Sequence, residues 1–316
     1  MKTNTISKQT DSWTFDLDFL WIELTNKCNL KCIHCYADSS PFNELETKID
    51  YSYWKKIIND AYKLGCRKIQ FIGGEPTIYP YLNNLIEDVN NMGFEYIEVY
   101  TNGTIISDDH LKTFVKNNVK LAFSVYGHTE NIHEQITKSK NSYKKTMNNI
   151  SKAINANLKV RVSIIEMESN KPYIDQTIDF IKSNFNVNEV GVDKVREVGR
   201  GHKNSIDEYE ELCGACWQGR LVINSDGDIY PCVFSRFKKL GNIEEGLECI
   251  LNKSELKDFR KKVRNIDELR RKNLLETTSS DCKPIEDCMP YCGPNCTPSH
   301  CRPDWACSPN SFCKPF

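Results

Sequence analysis

Residues 68–103 read KIQFIGGEPTIYPYLNNLIEDVNNMGFEYIEVYTNG, and this stretch decides the fold. KIQFI and YIEVYT are short runs of isoleucine, valine and aromatic side chains, which suit a buried, pleated strand. Between them YLNNLIEDVNNM spaces its apolar residues as a helix does, and Gly93 follows where a helix would stop. A strand, a helix and a strand within about 30 residues make a parallel βαβ unit with a right-handed crossover. Each strand ends in small polar residues, Gly73-Gly74-Glu75-Pro76 after the first and Thr101-Asn102-Gly103 after the second.

The same alternation extends in both directions. FLWIELT, VKLAFSVYG, LKVRVSII and VNEVGVDKV read as strands, and YSYWKKIINDAYKLG, DDHLKTFVKNN (capped by Ser107 or Asp108), SYKKTMNNISKAINAN and KPYIDQTIDFIKSN as helices. Six β/α alternations over residues 18–200 predict an α/β fold with a parallel sheet, open or curved into a partial barrel. In such sheets the chemistry gathers at the carboxyl ends of the strands. Thr25-Asn26, Ser124 and Glu166 join the two polar groups above at that rim.

Beyond residue 200 the pattern changes. RGHKNSIDEYEEL is a polar linker, WQGRLVINSDGDIYPCVF predicts a hairpin turning at Asp226-Gly227, and residues 246–275 predict a charged helical segment. The last 35 residues are rich in Cys and Pro and too poor in apolar side chains for an ordinary core. This divides the chain into an N-terminal extension (1–17), a core (18–200) and a C-terminal domain (201–316). With 42 Lys plus Arg against 43 Asp plus Glu, the net charge of −1 gives no reason to expect nucleic acid or an anionic membrane as a partner. No signal-peptide pattern and no long apolar run stand in the 316 residues, so the expectation is a cytoplasmic protein. In that reducing compartment the 15 cysteines point to metal or iron–sulfur ligation rather than disulfides.

Cys28, Cys32 and Cys35, in CNLKCIHC directly after the first strand, have the spacing C-x3-C-x2-C. Three thiolates on one tight loop can hold three corners of a metal centre and leave one position open. A zinc loop completed by His34 or a distant ligand uses the same residues, and so do three unpaired core cysteines. Core cysteines belong on the inward faces of strands and helices, not in a loop carrying Asn29, Lys31 and His34.

CNLKCIHCY after the first strand, with GGEP after the second, resembles the radical S-adenosylmethionine (SAM) superfamily. The resemblance implies a partial (β/α)6 TIM-like barrel. It implies that Cys28, Cys32 and Cys35 hold a [4Fe–4S] cluster whose open iron binds SAM. It further implies reductive cleavage of SAM to a 5′-deoxyadenosyl radical that abstracts a substrate hydrogen. On this basis Gly73, Gly74 and Glu75 would hold the SAM amino group, and Tyr36 would stack near the adenine. Asn102 and Ser124 are candidates for the ribose, although ordinary turn roles fit them equally. Arg161 is a candidate for the SAM carboxylate, which a guanidinium binds in bidentate fashion, with Glu166 and Arg196 as further candidates.

CGACWQGRLVINSDGDIYPC, followed by LGNI, resembles the opening of the Cys-rich SPASM extension that carries auxiliary clusters in many radical SAM enzymes. That implies Cys213, Cys216, Cys232 and Cys292 as ligands of a first auxiliary cluster. Cys282 and Cys288, with two of Cys296, Cys301, Cys307 and Cys313, would hold a second. Ser279 stands where the family pattern has a cysteine. Prolines two residues after most tail cysteines would stiffen the loops, and a zinc-bound tail fits the same spacing. Cys66 and Cys249 are expected to be core filler, and His34, His128 and His133 to serve packing or substrate contact.

The function that follows by analogy is maturation of a ribosomally made peptide, by a thioether or carbon–carbon crosslink or by epimerisation. Alternatives are a radical SAM dehydrogenase or epimerase of a small molecule (a sugar, aminoglycoside or tetrapyrrole) and, in another class, a zinc-binding interaction protein. The partners would be a peptide or small-molecule substrate and an electron donor such as flavodoxin or ferredoxin, with no nucleic acid and no membrane.

Overall fold

The strands, in chain order, are β1 (Phe19–Glu23), β2 (Lys68–Ile72), β3 (Tyr96–Thr101), β4 (Lys120–Ser124), β5 (Val160–Glu166), β6 (Val190–Lys194), β7 (Arg220–Ile223), β8 (Asp228–Tyr230) and β9 (Gly241–Asn242). The helices are α1 (Tyr51–Lys63), α2 (Leu82–Met92), α3 (Asp108–Lys116), α4 (Glu130–Thr137), α5 (Ser142–Asn155), α6 (Ile174–Phe185), α7 (Leu247–Asn252) and α8 (Ser254–Thr278). They come from a computed structural model that describes residues 17–45, 48–201 and 207–278.

The sheet runs in the order β6-β5-β4-β3-β2-β1-β7-β8-β9. β1 to β6 are parallel to their neighbours, the arrangement the repeated β/α alternation demands. β6 and β1 stand apart in the strand order, so the barrel is open. The expected hairpin forms, but it is not confined to a separate layer: β7 pairs in parallel with β1 and extends the same sheet, and β8 and β9 then turn back antiparallel. Two elements go beyond expectation. Glu130–Thr137 is helical, capped by the Thr129 side chain, over a stretch too short to show more than one apolar repeat. The segment 246–275 divides into α7 and α8 because Lys253 takes an extended conformation.

Alternation along the strands gives the sheet two unlike faces. Leu20, Ile22, Phe71, Val99, Phe123 and Val162 point to the helices and share the main core with Trp54, Leu85, Phe114 and Ile150. The opposite, concave face carries aromatic and polar residues. Trp21, Ile72 and Val222 pack there with Cys216, Cys232, Phe259 and Val263, so α8 closes one end of the barrel over the hairpin.

Lower on the concave face lies a charged group with no access to water. Glu98 accepts from Arg161 (Nη2 at 2.6 Å), from Gln70 and from the Tyr96 hydroxyl, and Arg161 also donates to Ser163 at 2.9 Å. Both charged residues are buried, Glu98 at 1% exposure and Arg161 at 4%. Removing one partner strands the other, so Glu98→Ala is expected to cost about 3–5 kcal/mol in denaturant unfolding. The double variant Glu98→Met with Arg161→Met should regain most of that loss, because apolar side chains of similar volume need no partner.

Candidate active site

The end of β1 leads into the cysteine loop, and three other strand ends hold that loop. After β2, Gly74 N–H donates to Thr25 O at 2.6 Å and Glu75 N–H to Lys27 O at 2.9 Å. A side chain at Gly74 would place its Cβ 1.9 Å from Lys27 O, so the glycine is required by contact of two backbones. The expectation that the pair admits a ligand thus gains a different physical reason: what approaches Gly74 is the chain itself.

Glu75 is fully buried and does not face the rim. Its carboxylate accepts from Thr77 N–H at 3.1 Å, Thr77 Oγ1 at 2.7 Å, Thr101 Oγ1 at 2.6 Å and Asn102 N–H at 2.8 Å. Burial pushes its acidity down, against those four bonds that favour the ionised form. The side chain expected to hold an amino group therefore ties β2 to β3. Asn102 is used similarly, with Nδ2 at 2.9 Å from Asn29 Oδ1 and 3.7 Å from Cys28 Sγ, while its Oδ1 accepts from Thr104.

Each cysteine sulfur of the loop has a donor. Leu30 N–H lies 3.4 Å from Cys28 Sγ and Ser39 N–H 3.4 Å from Cys35 Sγ. The Tyr126 hydroxyl donates to Cys32. Burial, reinforced by Glu75, pushes the Cys28 thiol up to about 12, and burial raises Cys32 as well. Donors aimed at sulfur favour the thiolate form that a bound metal requires. Among the described residues no three His, Cys, Asp or Glu side chains are gathered so as to hold one metal ion. His34 turns its ring edge to Tyr126, with centroids 4.9 Å apart, and its buried Nδ1 has no hydrogen-bond partner.

Two residues that sequence reasoning did not single out complete the loop's support. Arg200, beyond β6, reaches back to Cys32 O (Nε, 2.8 Å), Ser39 O (Nη2, 2.6 Å) and Asp38 (Nη1, 2.7 Å), and its N–H donates to Cys35 O at 2.9 Å. Gly199 makes this strap possible: a Cβ there would meet Cys35 O at 2.4 Å, and its φ is +59°. The other residue is Tyr126 at the tip of β4, whose local signal is a lone polar aromatic closing an apolar strand. Ser124, one layer below, hydrogen-bonds the hydroxyls of Tyr100 and Tyr126.

Tyr36 lines a cavity of about 280 Å³ with Glu23, Thr25, Asn26, Gly73, Tyr230 and Arg236. It stands edge-on to Phe234, with Arg236 over its ring at 5.7 Å, and Arg236 also pairs with Glu23. Arg236 thereby joins the hairpin to β1 at the cavity floor. Arg161 is placed otherwise than expected: its guanidinium is committed to Glu98 below the rim, which accounts for it without a ligand carboxylate. Glu166 pairs with Lys171 at 3.4 Å, and Arg196 with Asp193 at 2.6 Å.

In the hairpin region Cys216 and Cys232 are buried side by side, at 1% and 3% exposure. Cys232 Sγ accepts from Cys216, from the Phe234 and Ser235 amides and from the Ser235 hydroxyl; burial alone would raise its pKa, but these donors lower it to about 7, while Cys216, which gives the proton, is raised. Cys213 stands in the same loop, three residues before Cys216, and packs with its neighbours at the edge of the same cluster of buried side chains. Cys282, Cys288, Cys292, Cys296, Cys301, Cys307, Cys313 and Ser279 lie outside the described residues. Cys66 is core filler as expected, fully buried with its thiol directed at Lys68 O. Cys249 is not: it is exposed on α7, whose buried residues are Leu247 and Ile250.

His133 packs under Tyr126, accepting its N–H at Nδ1, and burial lowers its pKa to about 4. An unfolded histidine titrates near pH 6.5, so between 6.5 and 4 the unfolded chain takes up the proton that the folded chain refuses. Stability should therefore fall as pH drops through this window, by up to about 1.4 kcal/mol per pH unit. His133→Asn, which keeps an acceptor for Tyr126 N–H but does not titrate, should flatten that slope in denaturant melts between pH 7 and 4.5.

Residues 22–181, half of the chain, match the family model of the radical SAM superfamily. The chain belongs to the radical SAM superfamily of enzymes. Residues 213–289 match an iron–sulfur cluster-binding domain of the SPASM type, so the cofactors of this radical SAM protein are S-adenosylmethionine and iron–sulfur clusters. The chain is 27% identical over 267 residues to the antilisterial bacteriocin subtilosin biosynthesis protein AlbA of Bacillus subtilis, covering 73% of this chain and 58% of AlbA. It is 27% identical over 175 residues to GTP 3′,8-cyclase of Clostridium perfringens, covering 54% of this chain and 53% of the cyclase. It thus spans little more than half the length of these relatives. Among solved structures, SuiB of Streptococcus suis bound to S-adenosylmethionine superposes with a TM-score of 0.64 at 17% identity, covering 78% of this chain and 68% of SuiB. That likeness confirms the radical SAM fold. No described helix is long and apolar enough to cross a membrane.

Proposed function

We propose that this protein matures a ribosomally synthesised peptide by radical chemistry, abstracting a hydrogen atom from a residue of the peptide. The observation that carries the radical part of this reading is the cysteine loop, in which each of Cys28, Cys32 and Cys35 receives a hydrogen bond to sulfur while Arg200 straps the loop's carbonyls. When bound, the cluster and SAM supply the 5′-deoxyadenosyl radical. The chain's own residues orient and shelter that chemistry. The backbone of Gly73 and the ring of Tyr36 face the cavity in which the methionine end of SAM and the substrate would meet. Glu75 and Asn102 hold the β2 and β3 tips at fixed height beneath the Cys28 sulfur. Cys213, Cys216, Cys232 and Cys292 would hold an auxiliary cluster, the first three within an aromatic shell that reaches Tyr36 through Phe234.

The peptide substrate is supported by the similarity to AlbA, a bacteriocin biosynthesis protein, and by a SuiB structure bound to the precursor peptide SuiA. The similarity to GTP 3′,8-cyclase supports a second reading with a small-molecule substrate. The test is anaerobic purification under reducing conditions, followed by iron analysis and incubation with SAM and dithionite. About eight irons per chain and release of 5′-deoxyadenosine are expected; zinc without iron would refute the enzyme. A candidate precursor peptide that loses two hydrogens per crosslink, or takes up deuterium from solvent on epimerisation, separates the peptide reading from the small-molecule one.

A further inference from the structure

The cavity beside Tyr36 holds an acid and a base whose hydrogen-bonding capacity is only partly used. Glu23, the last residue of β1, is 5% exposed, and Arg236 lies in the turn that follows Cys232. Both line the cavity, together with Tyr36, Gly73 and Tyr230. Glu23 Oε1 accepts from Arg236 Nη2, and Arg236 Nε donates to Val233 O at 3.1 Å. The other two atoms are unspent: Glu23 Oε2 and Arg236 Nη1 make no hydrogen bond with any described residue, and neither is sealed away from the cavity. The rings of Tyr36 and Tyr230, with centroids 5.7 and 5.0 Å from Arg236 Cζ, hold the guanidinium in place.

What fills such a site follows from its charge. The pair is neutral as a unit. A lone carboxylate would satisfy Arg236 but be repelled by Glu23, and a lone ammonium would meet the reverse. A neutral group that carries a donor and an acceptor side by side satisfies both atoms at once, and leaves no buried oxygen unpaired. One residue of an extended peptide is such a group, because its N–H and C=O point to the same side, as they do where facing residues of two antiparallel strands exchange a pair of hydrogen bonds.

We propose that Glu23 and Arg236 form an amide clamp that binds the substrate through the backbone N–H and C=O of one extended peptide residue, Glu23 Oε2 accepting and Arg236 Nη1 donating. This deepens the peptide-maturation reading above and rests on it. The position suits the task. Tyr36 adjoins Cys35, and Val233, to which Arg236 is bonded, adjoins Cys232, so a clamped residue sits between the two cysteine-bearing segments. Because the contacts are to backbone, the clamp sets the height and direction of the peptide and leaves the choice of side chain to the rest of the cavity.

The test uses the full chain, reconstituted anaerobically, and small probes followed by saturation-transfer NMR. N-acetylalanine N′-methylamide carries one complete peptide residue, its N-methylalanine counterpart lacks that residue's N–H, and guanosine presents a lactam N–H and C=O side by side. The first probe should bind with a millimolar Kd, the range open to a ligand of about ten non-hydrogen atoms. The N-methyl probe should bind at least about tenfold more weakly, because Glu23 Oε2 is then left unpaired. Glu23→Met with Arg236→Met, in which neither side chain needs a partner, should bind both peptide probes equally weakly. If that double variant does not fold, the comparison of the two probes on the parent protein still decides. Equal affinities of the two probes, no binding of the first, or undiminished binding in the folded double variant would each overturn the proposal. Guanosine binding without the peptide probe would assign the clamp to a base, and methionine binding more tightly than the probe, with loss in the double variant, would assign it to SAM; in either case the proposal falls. Release of 5′-deoxyadenosine with dithionite is measured on the same preparation. Its absence would refute the radical SAM activity while the probe comparison still judges the clamp, and release with equal probe affinities would refute the clamp alone.

Discussion

Alanine at Cys32 is expected to leave a protein that folds yet loses about four irons per chain and releases no detectable 5′-deoxyadenosine. The reason is geometric. The loop offers three sulfurs, each met by its own donor, and the Arg200 strap fixes the carbonyls of Cys32 and Ser39 on the other side. Removing one sulfur leaves two ligands at their original spread, and nothing in the loop replaces the third: the His34 ring is turned to Tyr126. Cys28→Ala and Cys35→Ala should behave in the same way, and retained SAM cleavage in any of the three would refute the assignment. Two comparisons separate ligand loss from structural damage. Cys249→Ser, on an exposed helix position, should change neither iron content nor cleavage. Tyr126→Phe removes the hydroxyl that meets Cys32 and Ser124 while keeping the ring, and a loss of about ten- to a hundredfold in cluster affinity or activity is expected, as for other groups that support a metal ligand.

Gly74→Ala is expected to be the most damaging single-atom addition at the rim. Its Cβ would lie 1.9 Å from Lys27 O and 2.4 Å from Lys27 C, both backbone atoms that cannot rotate away. The Gly74–Glu75 segment would have to lift off the end of β1, breaking the bonds to Thr25 O and Lys27 O and dragging the Glu75 carboxylate from Thr101 and Asn102. Overpacking with loss of buried hydrogen bonds predicts a cost above about 3 kcal/mol in denaturant unfolding. A fall in SAM affinity of at least about tenfold should accompany it, from displacement of the neighbouring rim by well under the width of the site. Gly65→Ala is the informative contrast. A Cβ at Gly65 meets nothing within 4 Å, and only its φ of +96° opposes a side chain, so about 1 kcal/mol should be lost with no effect on SAM binding. Equal effects at the two positions would mean that the close backbone contact at Gly74 is not what the motif needs glycine for.

The sequence alone was enough for the parallel sheet and for the cysteine loop, because both are written in short-range patterns. A strand and the helix after it announce themselves by period within about a dozen residues, and C-x3-C-x2-C lies within eight. α4 escaped because eight residues hold barely two turns, too few for a period to emerge. The residues that make the loop a site were decided only in three dimensions. Arg200 lies 168 positions from Cys32, and Arg236 lies 213 from Glu23, separations over which no local pattern carries a contact. Glu75, Asn102 and Arg161 have the composition of ligand-binding residues, but packing gave their hydrogen bonds to neighbours in the chain, since a buried charge or amide must be satisfied wherever it ends up. Sequence therefore determined which atoms can bind metal and where along the chain they stand. The fold decided which polar groups remained to face a ligand and which were spent on holding the loop still.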